Sequence, residues 1–215
     1  MFRKEGIKMQ KDHEKNTPAK EQQPRGWQVE LYTLLHDLVC ILLVVTVLFV
    51  LLVRLVTVSG PSMTPTLLNK DYVAVLSNVF YHDIKQGDIV VARVPSFDTE
   101  PIVKRVIATQ GQTVDLRYDE QGVATVYVDG AALPEHYINE PMLYPGYATI
   151  EFPLTVPEDC VFVLGDNRNH SADSRYPDIG VFRKDYILGK VLMVVWPGQE
   201  DSGASREFSR IGVVS

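Results

Sequence analysis

Cysteine is scarce in this chain, and positive charge is in deficit. The 215 residues include two cysteines, too few for a disulfide framework or a thiolate zinc site. Lys and Arg number 21 against 27 Asp and Glu, and the formal net charge of −6 argues against a protein whose main partner is nucleic acid. A fully disordered chain is equally disfavoured, because 46% of the residues are hydrophobic.

One long apolar run occupies residues 38–58, and its polar members are Thr46, Arg54 and Thr57. A helix of about 20 residues crosses the apolar core of a bilayer, so we expect a membrane-anchoring helix over residues 31–58, with Arg54 reaching the interface through its long side chain. A buried core helix and a cleaved signal peptide are the two alternatives. The length of the run and the more than thirty residues before it disfavour both.

Basic residues are distributed unevenly around this run. Residues 1–30, expected to be a mobile cytoplasmic tail, contain seven Lys and Arg, whereas the next basic residue after Arg54 is Lys70. By the positive-inside rule the N-terminus is then cytoplasmic and the rest of the chain lies on the outer face of the membrane.

The remaining chain has the pattern of a β protein. We expect an extracytoplasmic domain over residues 59–198 and a C-terminal tail over residues 199–215. Runs rich in β-branched residues, separated by turn signals that contain Gly, predict strands over Tyr72–Leu76, Ile89–Arg93, Ile102–Ala108, Thr113–Tyr118, Val123–Val128, Cys160–Leu164 and Ile187–Trp196. Asp129-Gly130 predicts a hairpin. The fold class is therefore mainly β, with a single N-terminal transmembrane helix followed by an antiparallel β-sheet or barrel-like domain.

The first segment with chemical potential is Ser59–Leu67. Two prolines and a glycine stiffen it, so that Ser62 is presented on a fixed turn. Serine in such a loop is more often a turn former, and a serine nucleophile needs a base. His82, His136 and His170 each lie beside polar or turn residues, but a Ser-His-Asp triad stays open because triads are assembled in space.

Lysine is the alternative base, provided that an apolar environment lowers its pKa. In the predicted strand Ile102–Ala108, a period of two puts Lys104 on the same face as three apolar residues, where its amine would be desolvated. The neighbouring Arg105 cannot serve, because a guanidinium does not lose its proton in proteins. Lys190 is the competing lysine, and a strand lysine that only extends to solvent is the alternative to a catalytic one.

The third segment, Gly165–Arg175, follows a predicted apolar strand. All of its residues except Gly165 and Ala172 carry hydrogen-bonding side chains, which favours a tight network. Calcium binding is an alternative because the Asp and Asn side chains offer oxygen ligands. The spacing of an EF-hand loop is absent, however.

Taken together, these segments resemble the bacterial type I signal peptidases, membrane-anchored serine proteases that remove signal peptides from exported proteins. Ser62–Leu67 is similar to the nucleophile box of that family, Gly87–Val91 to a structural box, Lys104–Ala108 to the lysine box, and Gly165–Arg175 to the last box. The resemblance covers residues 59–196 in the order of the family, with the apolar run in front.

The resemblance implies a Ser/Lys dyad in a β catalytic domain. Ser62 would attack the scissile carbonyl, and neutral Lys104 would take its proton and later donate one to the leaving amine. Ser171 would hydrogen-bond and orient the Lys104 amine. Asp173 and Arg175 would form an ion pair that supports the site.

Gly60 is a departure from some family members, which place there a serine that donates to the oxyanion. The resemblance therefore assigns the oxyanion to the backbone N–H of Ser62 and leaves Gly60 as a candidate second donor. It also implies preproteins cut after small-x-small sites as substrates, and a plasma-membrane location near the export machinery. No metal, organic cofactor or nucleic acid is implied.

Two rival classes share parts of this pattern. Cytosolic self-cleaving repressor peptidases also use a Ser/Lys dyad but lack a membrane anchor. A non-enzymatic envelope protein, anchored by one helix and binding a partner through its sheet, would need neither Ser62 nor Lys104.

Overall fold

A computed structural model describes residues 26–97, 100–143, 150–199 and 205–214. The chain divides into two compact units, one up to Val44 and one from Val45 onward. Most of the mobile tail predicted over residues 1–30 lies outside the described residues, which begin at Gly26.

Helix α1 (Trp27–Leu52) supplies the regular structure of the first unit and continues into the second. None of its 26 residues is buried. It is the one helix among the described residues that is long and apolar enough to cross a membrane. At about 1.5 Å per residue it is about 39 Å long, more than the roughly 30 Å of a bilayer's apolar core.

The helix ends at Leu52, six residues earlier than the sequence predicts. Residues Val53–Thr57 form strand β1 instead and pair antiparallel with Tyr72–Leu76. Apolar and β-branched residues suit a strand as well as a membrane helix, so the apolar run alone does not mark this boundary. Arg54 consequently lies on a strand and not at a helix end.

The second unit is built from antiparallel strands, which confirms the mainly β fold class. The remaining strands of the described residues are β2 (Tyr72–Ser77), β3 (Ile89–Ala92), β4 (Ile102–Thr109), β5 (Thr113–Tyr118), β6 (Val123–Val128), β7 (Ala131–Ala132), β8 (Met142–Leu143), β9 (Leu154–Thr155), β10 (Cys160–Leu164), β11 (Phe182–Arg183), β12 (Ile187–Trp196) and β13 (Gly212–Val213). The seven predicted strands are all present, each within one residue of its predicted bounds at either end.

The strands form two sheets. The larger has the order β1-β2-β12-β3-β4-β10-β11, with β13 added on β12. The smaller has the order β7-β6-β5-β9, with β8 added on β6. The predicted hairpin joins β6 to β7, and both turn residues have positive φ, 52° at Asp129 and 81° at Gly130.

Loop 58–71, between β1 and β2, is anchored by its own apolar side chains. Met63 is 1% exposed and Leu67 is fully buried. Both pack in a core cluster with residues of β2 and β12, including Val75 and Val191. Burying a Met or Leu side chain stabilises a fold by about 2 kcal/mol, so the loop is held in a fixed position although it has no regular structure.

Candidate active site

Residues 58–71 contain the candidate nucleophile Ser62, and we call them the nucleophile loop. The ends of the loop are tied together: the N–H of Val58 donates to the carbonyl of Asp71, and the N–H of Lys70 donates to the carbonyl of Val58, both at 2.8 Å. Ser62 itself is half-buried, next to the buried Met63. Its hydroxyl is therefore on a rigid loop and within reach of a substrate.

Lys104 lies beside Ser62. It projects from β4, where it pairs with Val90 of β3. Its Nζ donates to Ser62 Oγ at 2.8 Å and to the carbonyl oxygen of Val103 at 2.9 Å. The side chain is only 4% exposed, so the strand pattern located a lysine that is desolvated.

This burial changes the acidity of the amine. The pKa of Lys104 is lowered from 10.5 to about 8, mainly by desolvation and to a smaller extent by the nearby Arg175. The carboxylates of Asp173 and Asp166 oppose the fall without cancelling it. With a pKa near 8, about one Lys104 in ten is neutral at pH 7, so the amine can accept a proton.

The loop after β10 carries the predicted Asp173–Arg175 ion pair, and both side chains are fully buried. Arg175 Nε and Nη2 donate to the two carboxylate oxygens of Asp173, each at 2.8 Å. Asp173 also accepts from the N–H of Gly165 at 3.0 Å, and Arg175 Nη2 donates to the Arg168 carbonyl at 2.6 Å. The pair thus closes residues 165–175 into a rigid loop.

The same loop contacts the backbone on both sides of the Ser62 Cα. The N–H of Asn167 donates to the carbonyl of Ser62 at 3.0 Å, and Asn167 Nδ2 donates to the carbonyl of Pro61 at 3.1 Å. Gly165 makes this close approach possible, because an added Cβ would lie 2.5 Å from the Ser62 carbonyl oxygen. Strand β4 and loop 165–175 therefore both contact Ser62.

Ser171 is buried near this point. An added Cβ on Gly165 would lie 2.2 Å from Ser171 Oγ. Within the described residues Ser171 Oγ has no hydrogen-bond partner, while the Lys104 amine donates to Val103 and Ser62. The orienting role that the resemblance implies for Ser171 stays a prediction.

Gly60, the candidate second oxyanion donor, is engaged elsewhere in this structure. Its N–H donates to Asn69 Oδ1 at 3.1 Å, across the nucleophile loop. Its φ of 84° lies in the left-handed region, which glycine adopts without strain. The contact gives Gly60 a part in shaping the loop, and its role toward the oxyanion stays a prediction.

Sequence reasoning missed a second buried ion pair, between Arg105 and Asp166. Arg105 Nε and Nη2 donate to the two oxygens of Asp166 at 2.8 and 2.7 Å. Thr66 Oγ1 donates to the same carboxylate at 2.6 Å, which links the nucleophile loop to the strand of Lys104. A signal was available: an arginine on the same strand face as apolar residues, here Val103 and Ile107, needs a buried acidic partner.

Tyr137 covers this pair. The guanidinium carbon of Arg105 lies 3.9 Å from the centre of the Tyr137 ring, and that of Arg168 lies 5.8 Å from it. Glu135 forms an ion pair with Arg168 and accepts a hydrogen bond from Tyr137 Oη at 3.2 Å. The segment after β7 therefore packs on Arg105 of β4 through the Tyr137 ring. It is held to loop 165–175 by the contacts of Tyr137 and Glu135 with Arg168.

The other candidate bases make no hydrogen bond to Ser62 Oγ among the contacts of the described residues. Lys190 Nζ lies 2.5 Å from Asp88 Oδ1, in an ion pair near the start of β3. The three candidate histidines, His82, His136 and His170, are exposed. His82 Nε2 is hydrogen-bonded to the carbonyl of Val79. Among the described residues, Lys104 supplies the basic group at hydrogen-bond distance from Ser62 Oγ.

The calcium alternative for loop 165–175 is also disfavoured by its contacts. Asp166 and Asp173 are each neutralised by a bidentate arginine, Arg105 and Arg175 respectively. Over the described ranges no three His, Cys, Asp or Glu side chains are grouped as a metal site requires. The oxygens that a cation would need are already used.

A groove with a volume of about 460 Å³ opens beside the Ser62–Lys104 contact. Its lining residues are Val56, Thr57, Ser59, Ser62, Val91, Glu100, Pro101, Ile102, Val103 and Lys104. A second cavity of about 350 Å³, near Tyr81 and Arg183, is lined by His82 but not by Ser62, Lys104 or any residue of loop 165–175.

Two strand edges border this groove. In the described part of the chain, β1 pairs on one side only, with β2. Strand β10 pairs with β4 from Arg105 onward, so no described residue pairs with the stretch Ile102–Lys104 on that side. The groove therefore exposes backbone groups that an extended peptide can pair with.

Comparison with known proteins identifies the family of this chain. The family model described as signal peptidase, peptidase S26, matches residues 31–196. Signal peptidase I of Bacillus amyloliquefaciens is 37% identical over 149 residues, which are 66% of this chain and 76% of that protein. Signal peptidase I of Mycobacterium tuberculosis is 36% identical over 144 residues, 56% of this chain and 48% of that protein.

A solved structure is also similar: the crystal structure of a signal peptidase I from Enterococcus faecalis. It is 32% identical in sequence, has a TM-score of 0.41, and covers 51% of this chain and 97% of its own. The family match covers more than half of this chain and includes both Ser62 and Lys104. The chain belongs to the signal peptidase family, peptidase S26, and is a serine peptidase.

Proposed function

We propose that the protein cleaves signal peptides from exported preproteins, with Ser62 as the nucleophile and Lys104 as the general base. The observation that carries this proposal is the 2.8 Å contact between Lys104 Nζ and Ser62 Oγ, made by an amine whose pKa is lowered to about 8. A serine hydroxyl needs an adjacent base within about 3.2 Å, and this amine satisfies both the distance and the acidity.

The chemistry follows the usual sequence of a serine peptidase. Ser62 Oγ attacks the scissile carbonyl carbon as its proton passes to neutral Lys104 Nζ. The resulting ammonium then donates a proton to the leaving amine, the C–N bond breaks, and the signal peptide stays on Ser62 as an ester. Water attacks this ester with Lys104 again as base, which releases the signal peptide as a carboxylic acid and restores Ser62.

The tetrahedral intermediate needs a hydrogen-bond donor for its oxyanion. We assign the backbone N–H of Ser62, which lies on the same residue as the attacking oxygen. The Pro61 carbonyl, which shares a peptide group with the Ser62 N–H, accepts from Asn167 Nδ2 at 3.1 Å and from the N–H of Thr64 at 3.0 Å, and these contacts hold the donor in place. A preorganised donor costs little reorganisation during the reaction.

Substrate selection is assigned to the groove. An extended peptide would pair with the edges of β1 and β4 and present alternate side chains to the apolar lining, which includes Val56, Val91 and Val103. Branched side chains in the lining limit the space for the substrate, which supports a preference for small-x-small sites. One extra methylene in such a pocket changes discrimination by about 1–3 kcal/mol.

The membrane location is proposed from α1 and the charges around it. Seven Lys and Arg precede the helix, and the next basic residue after Arg54 is Lys70, so the N-terminus is assigned to the cytoplasm and the catalytic domain to the outer face of the plasma membrane. A signal peptide held in the same bilayer would meet this enzyme in two dimensions. A position near the export machinery follows from that substrate.

Cleavage by full-length protein tests the proposal. The protein, in detergent micelles or liposomes, is mixed with a preprotein that carries an Ala-x-Ala site. We expect cleavage after the second Ala by the wild type, and a loss of at least about 10³-fold in Ser62→Ala and Lys104→Met. Lys190→Met is the matched control, since it removes a strand lysine that pairs with Asp88, and it should retain cleavage.

Two outcomes would contradict the proposal. If Lys104→Met cleaved as fast as the wild type, the base would have to be another group. If no form cleaved the preprotein while circular dichroism showed all of them folded, signal peptides would not be the substrate.

A further inference from the structure

The segment 205–214 lies beyond the residues 31–196 that the family model matches, yet it is firmly attached to the larger sheet. Its strand β13 pairs with β12, with Val213 opposite Met193 and Gly212 opposite Val194. The N–H of Val214 donates to the Leu192 carbonyl at 3.2 Å. We call residues 205–214 the C-terminal clasp.

Arg210 connects the clasp to the nucleophile loop. Its Nη1 and Nη2 donate to Asp71 Oδ1 and Oδ2 at 2.9 and 2.7 Å, and Nη2 also donates to the carbonyl oxygen of Thr66 at 3.3 Å. Asp71 is fully buried, and the Arg210 side chain is 16% exposed. A bidentate pair of this kind, shielded from water, fixes both the distance and the relative orientation of its partners.

The Asp71 carboxylate also accepts hydrogen bonds from two backbone N–H groups. Its Oδ2 accepts from the N–H of Leu68 at 2.7 Å, and its Oδ1 accepts from the N–H of Gly198 at 2.5 Å. Gly198 fits closely, since an added Cβ would lie 2.1 Å from the Asn69 carbonyl oxygen. The Asp71 carboxylate therefore joins the end of the nucleophile loop to the chain that follows β12, and Arg210 neutralises its charge.

Thr66 is held from two directions. Its carbonyl accepts from Arg210, while its hydroxyl donates to Asp166 at 2.6 Å. Asp166 is paired in turn with Arg105, the residue after Lys104. Thr66 lies four residues after Ser62, so the placement of the nucleophile relative to Lys104 depends on both contacts.

We propose that Arg210 is a positioning residue for Ser62, which acts through Asp71 and the carbonyl of Thr66. The inference rests on the proposed function, because it assigns Arg210 to the reaction of Ser62 and Lys104. Proton transfer requires the two reacting atoms at hydrogen-bond distance, and a displacement of about 1 Å can reduce the rate by about 10²-fold. The clasp sets this distance from outside the family's matched segment.

The same clasp supplies a matched control. Arg206 Nη1 donates to the Pro197 carbonyl at 2.5 Å, and its guanidinium carbon lies 5.8 Å from the centre of the Trp196 ring. These contacts hold the clasp to the end of β12. Arg206→Gln weakens the clasp but leaves both contacts of Arg210 to the nucleophile loop in place, and it reaches Asp71 only through the Pro197–Gly198 peptide group.

The experiment measures kcat and KM of full-length Arg210→Gln, Arg210→Lys and Arg206→Gln in detergent micelles, with the Ala-x-Ala preprotein as substrate. For Arg210→Gln we expect kcat to fall at least about 10-fold with KM within about twofold of the wild type, because the groove is intact. Arg210→Lys keeps the charge and should recover part of the loss. Arg206→Gln should retain the kcat of the wild type.

Thermal unfolding and a second variant separate positioning from folding. Arg210→Gln leaves the Asp71 carboxylate buried without its cation, so the double variant Asp71→Asn/Arg210→Gln removes both charges. A folded double variant that keeps the low kcat supports the proposal. Wild-type kcat in folded Arg210→Gln, or a loss of kcat that is equal in Arg206→Gln, overturns it. Failure of the wild type to cleave would instead refute the proposed function.

Discussion

Lys104 Nζ lies between two oxygen atoms, 2.8 Å from Ser62 Oγ and 2.9 Å from the carbonyl of Val103. A neutral amine has two hydrogens and one lone pair. The contact with Val103 occupies one hydrogen. The lone pair and the second hydrogen are left to accept and return the Ser62 proton as the reaction proceeds. The low exposure of the amine, 4%, keeps water from competing for them.

The pH dependence of cleavage should report the Lys104 amine. Burial lowers its pKa to about 8, and the base is active only when neutral. We therefore expect kcat/KM to rise about tenfold per pH unit up to about pH 8 and then to level off. The measurement is a pH series of kcat/KM with one preprotein, and a flat profile from pH 5 to 9 would contradict the assignment.

The same buried amine should destabilise the fold at neutral pH. A pKa that falls from 10.5 to about 8 on folding corresponds to about 3 kcal/mol. The unfolded chain binds more protons between these values, so the cost is complete below about pH 8 and disappears as pH rises to 10.5.

Lys104→Met should therefore unfold at a higher denaturant concentration than the wild type at pH 7. The difference should shrink as the pH approaches 10. Urea unfolding at the two pH values checks this, and a variant less stable than the wild type at pH 7 would contradict it.

Gly165 should tolerate no side chain. Its added Cβ would lie 2.2 Å from Ser171 Oγ and 2.5 Å from the Ser62 carbonyl oxygen. Gly165→Ala should displace the nucleophile backbone, lower kcat by about 10²-fold and cost about 1–3 kcal/mol of stability.

Gly122→Ala is the matched control. Its φ of +77° makes the substitution strained, by about 1 kcal/mol, but an added Cβ meets nothing within 4 Å. Equal activity of both variants would show that the close approach at Gly165 does not matter.

Tyr137 should stabilise the domain mainly through its ring. The ring lies 3.9 Å from the guanidinium carbon of Arg105, whereas its hydroxyl makes one hydrogen bond, to Glu135. Tyr137→Phe should cost about 1 kcal/mol, and Tyr137→Ala about 3 kcal/mol. Urea unfolding of both variants measures this, and equal losses would show that the hydroxyl is the main contributor.

The long strands were accessible from local patterns. Alternation along β4 placed Lys104 on an apolar face and the turn residues placed Ser62 on a fixed loop, but the pairing of the two as a dyad rested on the resemblance to the family. The same alternation did not reveal that Arg105 pairs with Asp166, because the two residues are 61 positions apart and meet only when β4 and β10 pair. Burial of an arginine demands a partner, but the partner's identity is a property of the fold.

Short elements and contacts made over long distances along the chain were not accessible. Strand β1 continued an apolar run and was included in the predicted helix, since hydrophobicity does not distinguish a lipid-facing helix from an edge strand. Residues 199–215 were predicted as a C-terminal tail and lie outside the segment that resembles the family. Their described part is attached to β12 by the two-residue strand β13, and to the nucleophile loop by Arg210. The partner of Arg210, Asp71, lies 139 positions away along the chain.

The most direct test of the dyad is to trap the ester on Ser62. Full-length protein is mixed with excess preprotein, and the reaction is quenched with acid within the first turnover. The protein is then digested, and the mass of the peptide that contains Ser62 is measured by mass spectrometry. We expect the signal-peptide adduct on Ser62 in the wild type, and none in Ser62→Ala or Lys104→Met. An adduct on another residue, or one that forms as fast in Lys104→Met as in the wild type, would contradict the assignment of Ser62 and Lys104.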